Sequence, residues 1–329
     1  PAAHLDLAVD ILSDMVINPL LPPSEIERER TVILEEIKMY KDLPQNYVYD
    51  LLDELLWPRQ PLGMQVIGSA DSVSHIKSQD LLAYKKRTYT PLNIVVAAAG
   101  NLEHEGFSKK IEKCFLRIKD KNVNRFEQAQ EEDTKPKLNL FPKDTEQTHL
   151  TLGFHSFKRG HPLKHALNIL HIIMGANMSS RLFNEVREKR GLAYEIGTQV
   201  KFFHDTGSFV VHAGIDNQKV NQAIDVILKE LAKMRRTLVT NDEFRRAKEF
   251  YLGQLGLALE DTLDHMLWIG ESTVTLDKTY PLDSVIKEVG KIKREDIREV
   301  ARYLFEEKKI NLALIGPIKD KRESIYSQL

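Results

Sequence analysis

Apolar residues recur at helical spacing along most of this chain and gather into short continuous runs at a few places. Leu5, Ala8, Val9, Leu12 and Val16 mark a helix over His4 to Ile17. A second helix is predicted from a Ser24 cap to about Tyr40, a third over Val48 to Leu56, and a fourth opening at Ser78 or Gln79. Asn93 to Ala99 reads as a buried strand. Between Lys119 and Lys137 apolar positions nearly vanish, and Glu127, Glu131, Glu132 and Asp133 stand close to Lys135-Pro136-Lys137, the pattern of a linker.

Beyond the linker the pattern predicts a strand over Thr148 to Phe154 and a helix over Pro162 to Gly175. Strands follow over Leu192 to Phe203 and Ser208 to Ile215, divided by the turn-prone Asp205-Thr206-Gly207. Val220, Ala223, Ile224, Ile227, Leu228, Leu231 and Met234 trace an amphipathic helix. A long helix from Asn241 to about Thr275, shorter ones near Leu282 to Val289 and Arg294 to Phe305, and a last strand over Ile310 to Ile315 complete the pattern. Strands and helices in this order predict an α+β architecture with helices layered on one sheet face.

The chain nearly repeats itself. Ile76-Lys77-Ser78-Gln79-Asp80-Leu81 returns as Ile292-Lys293-Arg294-Glu295-Asp296-Ile297, 216 positions on (292 − 76), and the apolar runs ending at Gly100 and Gly316 keep that interval. Ser24-Glu25-Ile26 and Arg30 match Asp242-Glu243-Phe244 and Lys248 at 218 positions (242 − 24). A domain-sized period implies two homologous domains. The expected division is 1–120 for a first domain incomplete at its start, 121–137 for the linker and 138–329 for a complete second domain. By the repeat, the first copy is expected to begin roughly 78 residues before Pro1.

Composition excludes several classes. With 329 residues, 42% hydrophobic and 29% charged, the chain can bury two cores, and its net charge of −1 gives no global field for nucleic acid. One cysteine, Cys114, rules out an internal disulfide and a cysteine-based zinc site and fits a reducing compartment such as the cytoplasm. Localisation stays open, since an upstream targeting signal would not be visible. No apolar run approaches the ~20 residues of a membrane span.

The candidate chemistry lies first on the helix near Ser24. Glu29 and Glu36 are seven apart and project from nearly one side, which also carries Val32, Ile33 and Tyr40. One reading is a solvated acidic face with Arg28 and Arg30 as partners; the other makes one carboxylate a metal ligand and the other its support. His161 and His165, four apart, have ligand spacing, but Lys164 between them opposes a cation, and helix-start packing is the expectation, with His171 further along. Arg187 alone reads as a surface charge and Tyr194 as a half-buried aromatic. His204 and Asp205 read as turn residues, and His104, between Glu103 and Glu105, as solvated.

A family resemblance changes that weighting. The run Glu27-Arg28-Glu29-Arg30-Thr31-Val32-Ile33-Leu34-Glu35-Glu36-Ile37 resembles the third-ligand segment of the M16 zinc peptidases, the family of pitrilysin, insulin-degrading enzyme and mitochondrial processing peptidase. Met178-Ser179-Ser180-Arg181-Leu182-Phe183 with Arg187-Glu188-Lys189-Arg190-Gly191-Leu192-Ala193-Tyr194 resembles its second-domain signature. The resemblance implies the fold of M16 and LuxS-like metallohydrolases, two homologous domains, each a mixed, mainly antiparallel sheet with helices packed on one face. It further implies a zinc-dependent endopeptidase cleaving peptides or unfolded segments in a chamber between two domains. Glu36 takes the place of the glutamate ligand of Zn2+, Glu29 that of the acidic residue behind it, and Arg187 and Tyr194 those of the pair contacting substrate and transition state. The family's His-x-x-Glu-His, expected roughly seventy-five residues before the ligand glutamate, is absent from these 329 residues, so the chain alone is expected to be inactive. Gln254, the repeat's counterpart of Glu36, is a poor ligand, which confines metal to the first domain.

Two further readings stay open: a non-catalytic partner or structural subunit of a processing-peptidase-type heterodimer, and a fragment that binds peptides only. The partners implied are a peptide or unfolded protein substrate and another chain of the same family in a homo- or heterodimer. Nucleic acid and a membrane span are not implied.

Overall fold

The structure, a computed structural model, describes residues 1–116, 126–319 and 321–329; of the expected linker, 121–137, residues 121–125 lie outside these. In chain order the elements are α1 (Leu5–Ile17), α2 (Pro23–Asp42), α3 (Pro44–Leu56), α4 (Ala70–His75), α5 (Ser78–Thr88), α6 (His104–Phe115), β1 (Lys137–Pro142), β2 (Gln147–Ser156) and α7 (Lys164–Met174). There follow β3 (Ala193–Phe202), β4 (Gly207–Asp216), α8 (Val220–Arg236), α9 (Asn241–Ala258), α10 (Thr262–Leu276), α11 (Leu282–Lys291), α12 (Arg294–Leu304), β5 (Asn311–Gly316) and α13 (Arg322–Tyr326). By packing, one compact unit holds residues 1–37, 67–127 and 255–280, and the other 38–66, 128–254 and 281–329. The division falls within α2 and within α9.

The second unit is built on a five-stranded sheet of order β1-β5-β2-β4-β3, parallel only between β1 and β5. This is the mixed, mainly antiparallel α+β arrangement that the sequence implies. One face, with Leu150, Leu152, Phe154, Phe209, Val211, Leu312 and Leu314, is covered by α7, α8 and α12, and Phe305 meets Phe154 and Phe209 edge-on, both at 5.2 Å. The other face receives α3. Leu52, fully buried, sits over Gly153, where an added Cβ would come within 2.8 Å of its methyl carbon. Val48, Leu51, Leu56 and Trp57 complete that core with Val210, Ala313 and Ile315. Thr151 Oγ1 donates to the Val48 carbonyl at 3.0 Å, satisfying a hydroxyl that would otherwise be a costly buried polar group.

In the first unit α1 packs against α6, and Lys110 forms an ion pair with Asp6. The internal repeat is written into the side-chain fastenings of both units. Arg30 on α2 donates to the carbonyls of Val73 and Ile76, and its counterpart Lys248 on α9 donates to those of Gly290 and Ile292. Lys85 holds the carbonyl of Ile17 where Arg302 holds that of Arg235, and Ser78 holds Leu21 where Arg294 holds Val239. Asp80 and Asp296 each accept from the backbone three residues upstream, at Lys77 and Lys293. The repeat also crosses over in packing. α10, the counterpart of α3 at 218 positions (262 − 44), lies along residues 93–97 of the first unit, with Gly270 against Ala97, whereas α3 lies on β5 in the second.

Three expectations are corrected. Residues 93–99 form no strand; Val95 and Val96 are exposed, and no ladder partner for the run exists among the described residues, whereas β5 pairs on both edges. An apolar run becomes a strand only when a neighbour takes its backbone hydrogen bonds. The predicted helix from Asn241 to Thr275 is two helices, because Asp261 caps α10 by accepting from the amides of Leu263 and Asp264 and so stops α9. Ser24 does not cap α2; Pro23 opens it, and the Pro22 carbonyl accepts from Ile26.

The role of α3 is testable. Leu52→Ala is expected to destabilise the second unit by about 2–5 kcal/mol, while Leu12→Ala, at a side chain that is 63% exposed, is expected to change stability by less than about 0.5 kcal/mol. Denaturant unfolding followed by circular dichroism reads both. Equal effects would mean that α3 is not part of that core.

Candidate functional site

On α2 the carboxylates of Glu29 and Glu36 are exposed, while Ile37 is buried and Ile33 half-buried. Arg28 and Arg30 do not partner them: Arg28 pairs with Glu25 at 3.0 Å and Arg30 with Glu27 at 3.1 Å. The solvated-face reading therefore accounts for Glu25 and Glu27 but leaves Glu29 and Glu36 unengaged by any hydrogen bond or ion pair among the described residues. Neither belongs to a group of three or more ligand-type side chains among the described residues. One carboxylate does not make a zinc site. Among the described residues Glu36 is thus the one donor that the chain offers to a Zn2+ at this position, and further ligands would have to come from elsewhere.

Arg187 and Tyr194 belong to the second unit, on either side of a backbone built to present them. Phe183–Glu188 is π-helical, and the guanidinium of Arg187 lies 4.8 Å from the ring centre of Phe183. The helical turn ends at Gly191, whose φ of +57° strains any residue with a Cβ, and whose amide returns to the Arg187 carbonyl. Lys189 and Arg190 both bind Glu185, and these hydrogen bonds hold its carboxyl down at about 2. They leave Arg187 exposed and outside that network. β3 then begins with a bulge: Ala193 pairs with Ile215 and Glu195 with the next residue, Gly214, so Tyr194 is the extra residue. Its side chain is 70% exposed, where a half-buried core aromatic is expected from sequence. Arg181 has a different task, forking onto Glu243 through two 2.7 Å hydrogen bonds and locking the signature segment to α9.

The histidines are engaged one by one. His161 stacks on Phe157 at 3.9 Å and accepts from the Leu163 amide; His165 Nδ1 meets the Tyr251 hydroxyl at 2.9 Å; His171 Nδ1 meets Thr198 Oγ1 at 2.7 Å. Burial, with Lys164 near His165 and His212 near His171, pushes both of these rings down to about 4. Asp205, expected as a turn residue, also accepts from the Ala129 amide at 2.7 Å. A group that sequence reading missed joins Glu131 and Asp133 of the polar segment to His155 of β2, with donor atoms all within 4.8 Å of one another. The signal available was the polar alternation His149, Thr151, Gly153, His155, which marks a strand face in contact with something other than a plain apolar core.

The second unit is an α+β unit whose bulged edge strand displays a tyrosine, and α2 of the chain displays two carboxylates without a partner among the described residues. No described helix is long and apolar enough to cross a membrane. Comparison with known proteins makes the assignment specific. The family model described as "Peptidase M16 inactive domain" matches residues 75–251, and that described as "Insulinase (Peptidase family M16)" matches residues 1–70. The chain belongs to the M16 peptidase family. It is 34% identical over 314 residues to an uncharacterized zinc protease of Bacillus subtilis, covering 95% of this chain and 76% of the relative. An uncharacterized zinc protease of Mycobacterium tuberculosis is 35% identical over 330 residues, 99% of this chain and 75% of the relative. Among solved structures, a protease from Helicobacter pylori superposes with a TM-score of 0.87 at 20% identity, over 96% of this chain and 77% of that one, a likeness of fold.

The buried histidines predict a pH dependence. Their folded values lie below the ordinary 6.5, so between pH 6.5 and about 4 the unfolded chain binds protons that the folded chain does not. Stability is full above pH 6.5 and is lost as pH falls through that window. For His171 the loss is expected to be on the order of 3 kcal/mol, at roughly 1.4 kcal/mol per pH unit. Comparing urea midpoints at pH 7.5 and 4.5 tests this, and His171→Gln is expected to shrink the difference; an unchanged difference refutes the assignment to His171.

Proposed function

We propose that this chain forms the greater part of a zinc-dependent endopeptidase acting on peptides or unfolded segments. Family membership and the zinc-protease names of the relatives support the coarse reading. The finer one rests chiefly on Tyr194: an aromatic ring displayed to solvent by a bulge on an edge strand has no packing role, and bulges re-aim side chains beside sites of chemistry. In this reading Glu36 is the glutamate ligand of Zn2+ and Glu29 orients it. Arg187 and Tyr194 donate to the substrate carbonyl oxygen as charge develops on it, and an extended peptide engages a sheet edge through backbone hydrogen bonds. A bound Zn2+ would activate water and polarise the carbonyl. Activity requires a His-x-x-Glu-His supplied by sequence outside these 329 residues, and a second chain of the family is a candidate partner.

The alternative, a non-catalytic subunit of a processing-peptidase-type heterodimer, is favoured by one observation, the match of residues 75–251 to the family's inactive domain. Against it stands Glu36, a free carboxylate at the ligand position, which such a subunit has no need to keep.

The two readings separate by mutation. In a form carrying the motif, Tyr194→Phe deletes only a hydroxyl and is expected to lower kcat by about 10²–10³-fold with metal content unchanged; Arg187→Lys, which keeps charge but loses the planar fork, is expected to act in the same direction. Glu36→Gln is expected to abolish tight zinc binding with the fold retained. Wild-type kcat and metal content in all three variants would refute the roles assigned to these residues, whereas no turnover and no bound zinc in the form carrying the motif would leave the partner-subunit reading standing.

A further inference from the structure

The contact between the polar segment and β2 has an unusual donor balance. His155, 1% exposed, places Nε2 at 2.8 Å from the Leu56 carbonyl oxygen, which can only accept, so Nε2 carries the hydrogen. In the neutral ring Nδ1 then presents a lone pair. It faces Asp133 Oδ1 at 2.7 Å, a second acceptor. Two acceptors at that distance are joined by a proton, as an imidazolium–carboxylate pair, unless a cation bound beside them takes the proton's place. A backbone carbonyl taking one ring hydrogen while the other nitrogen points at carboxylates is how metal-binding imidazoles are oriented. Trp57 packs edge-on against the same ring at 5.7 Å and fixes its plane.

Glu131 supplies the third donor. Thr206 Oγ1, itself buried, donates to Glu131 Oε1 at 2.6 Å and steadies the carboxylate while leaving its other oxygen free. Imidazole and carboxylate atoms bound to one tetrahedral zinc-like ion stand roughly 3.3–3.5 Å apart, from bond lengths of about 2.0–2.2 Å. The three donors here lie within 4.8 Å of one another; exposed Glu131 has to swing inward and Asp133 to open from its 2.7 Å contact with His155. Of the three, Glu131 also lines a cavity of about 410 Å3, with Asp205, Lys158 and Ser156.

We propose that Glu131, Asp133 and His155 form a site for a divalent transition metal of the zinc type, which fastens the polar segment to β2 of the second unit. The three ligands come from two stretches of chain that meet only in the fold, so a bound ion stabilises their junction by its binding free energy. The site is built without Glu36 and does not depend on the peptidase reading.

Cobalt(II), followed by its visible absorption, is the probe. The 329-residue chain at pH 7.5 is expected to take up about one equivalent, displaceable by Zn2+. Glu131→Gln, at an exposed position that leaves folding intact, and Asp133→Asn are each expected to weaken binding by about 10–100-fold. Glu36→Gln is expected to leave it unchanged. No cobalt spectrum at millimolar metal would mean that a proton alone sits between His155 and Asp133, and the proposal falls. It falls equally if the Glu131→Gln/Asp133→Asn double variant binds cobalt as the wild type does, or if Glu36→Gln abolishes binding.

Discussion

The second unit depends on the missing Cβ of Gly153. A strand without a side chain at that point lets α3 settle directly on the centre of the sheet, with Leu52 filling the place that a side chain would take. From this close approach follow the burial of Val48, Leu56 and Trp57, the bond from Thr151 to the Val48 carbonyl and the reach of His155 to the Leu56 carbonyl. A two-faced sheet needs cover on both sides, and β2 has it because α7, α8 and α12 take one face while α3 takes the other.

A rigid sheet in turn makes its edge useful. β3 pairs on one side only, with β4, among the described residues, and its register is pinned by nine residue pairings. Against so regular a ladder, one inserted residue has a defined consequence: Tyr194 is thrown outward, just after a π-helical turn and a left-handed glycine have reversed the chain and displayed Arg187. The spacing of seven between arginine and tyrosine is thus a product of two backbone irregularities, both of which would be costly without the packed sheet behind them.

The two halves of the repeat show which features duplication preserves. Polar fastenings such as Arg30 and Lys248, or Asp80 and Asp296, survive because each satisfies backbone groups that every copy of the fold leaves open. The corresponding positions Glu36 and Gln254 differ, one a carboxylate and the other a neutral amide. Structural need was held in common, and chemistry was not.

Much of this was legible in the residue order. Helical stripes located α1, α3, α8 and α12, turn residues separated β3 from β4, and the two signature segments pointed to the family, while the roles of Glu29, Glu36, Arg187 and Tyr194 are proposals. These are local properties, set by spacing and by side-chain chemistry within a few residues. Other features were not legible because they are decided by a neighbour distant in sequence. Residues 93–99 have a strand's composition and form none, since composition cannot provide a pairing partner. The segment around Glu131 and Asp133 reads as a bare linker, yet it closes on His155, 22 residues from Asp133, through contacts that exist only once β2 is in place. Sequence determined which elements form and which family they belong to. Tertiary structure alone decided which backbones pair, which helix covers which sheet face and which buried donors meet, because those depend on distances through space that no local pattern encodes.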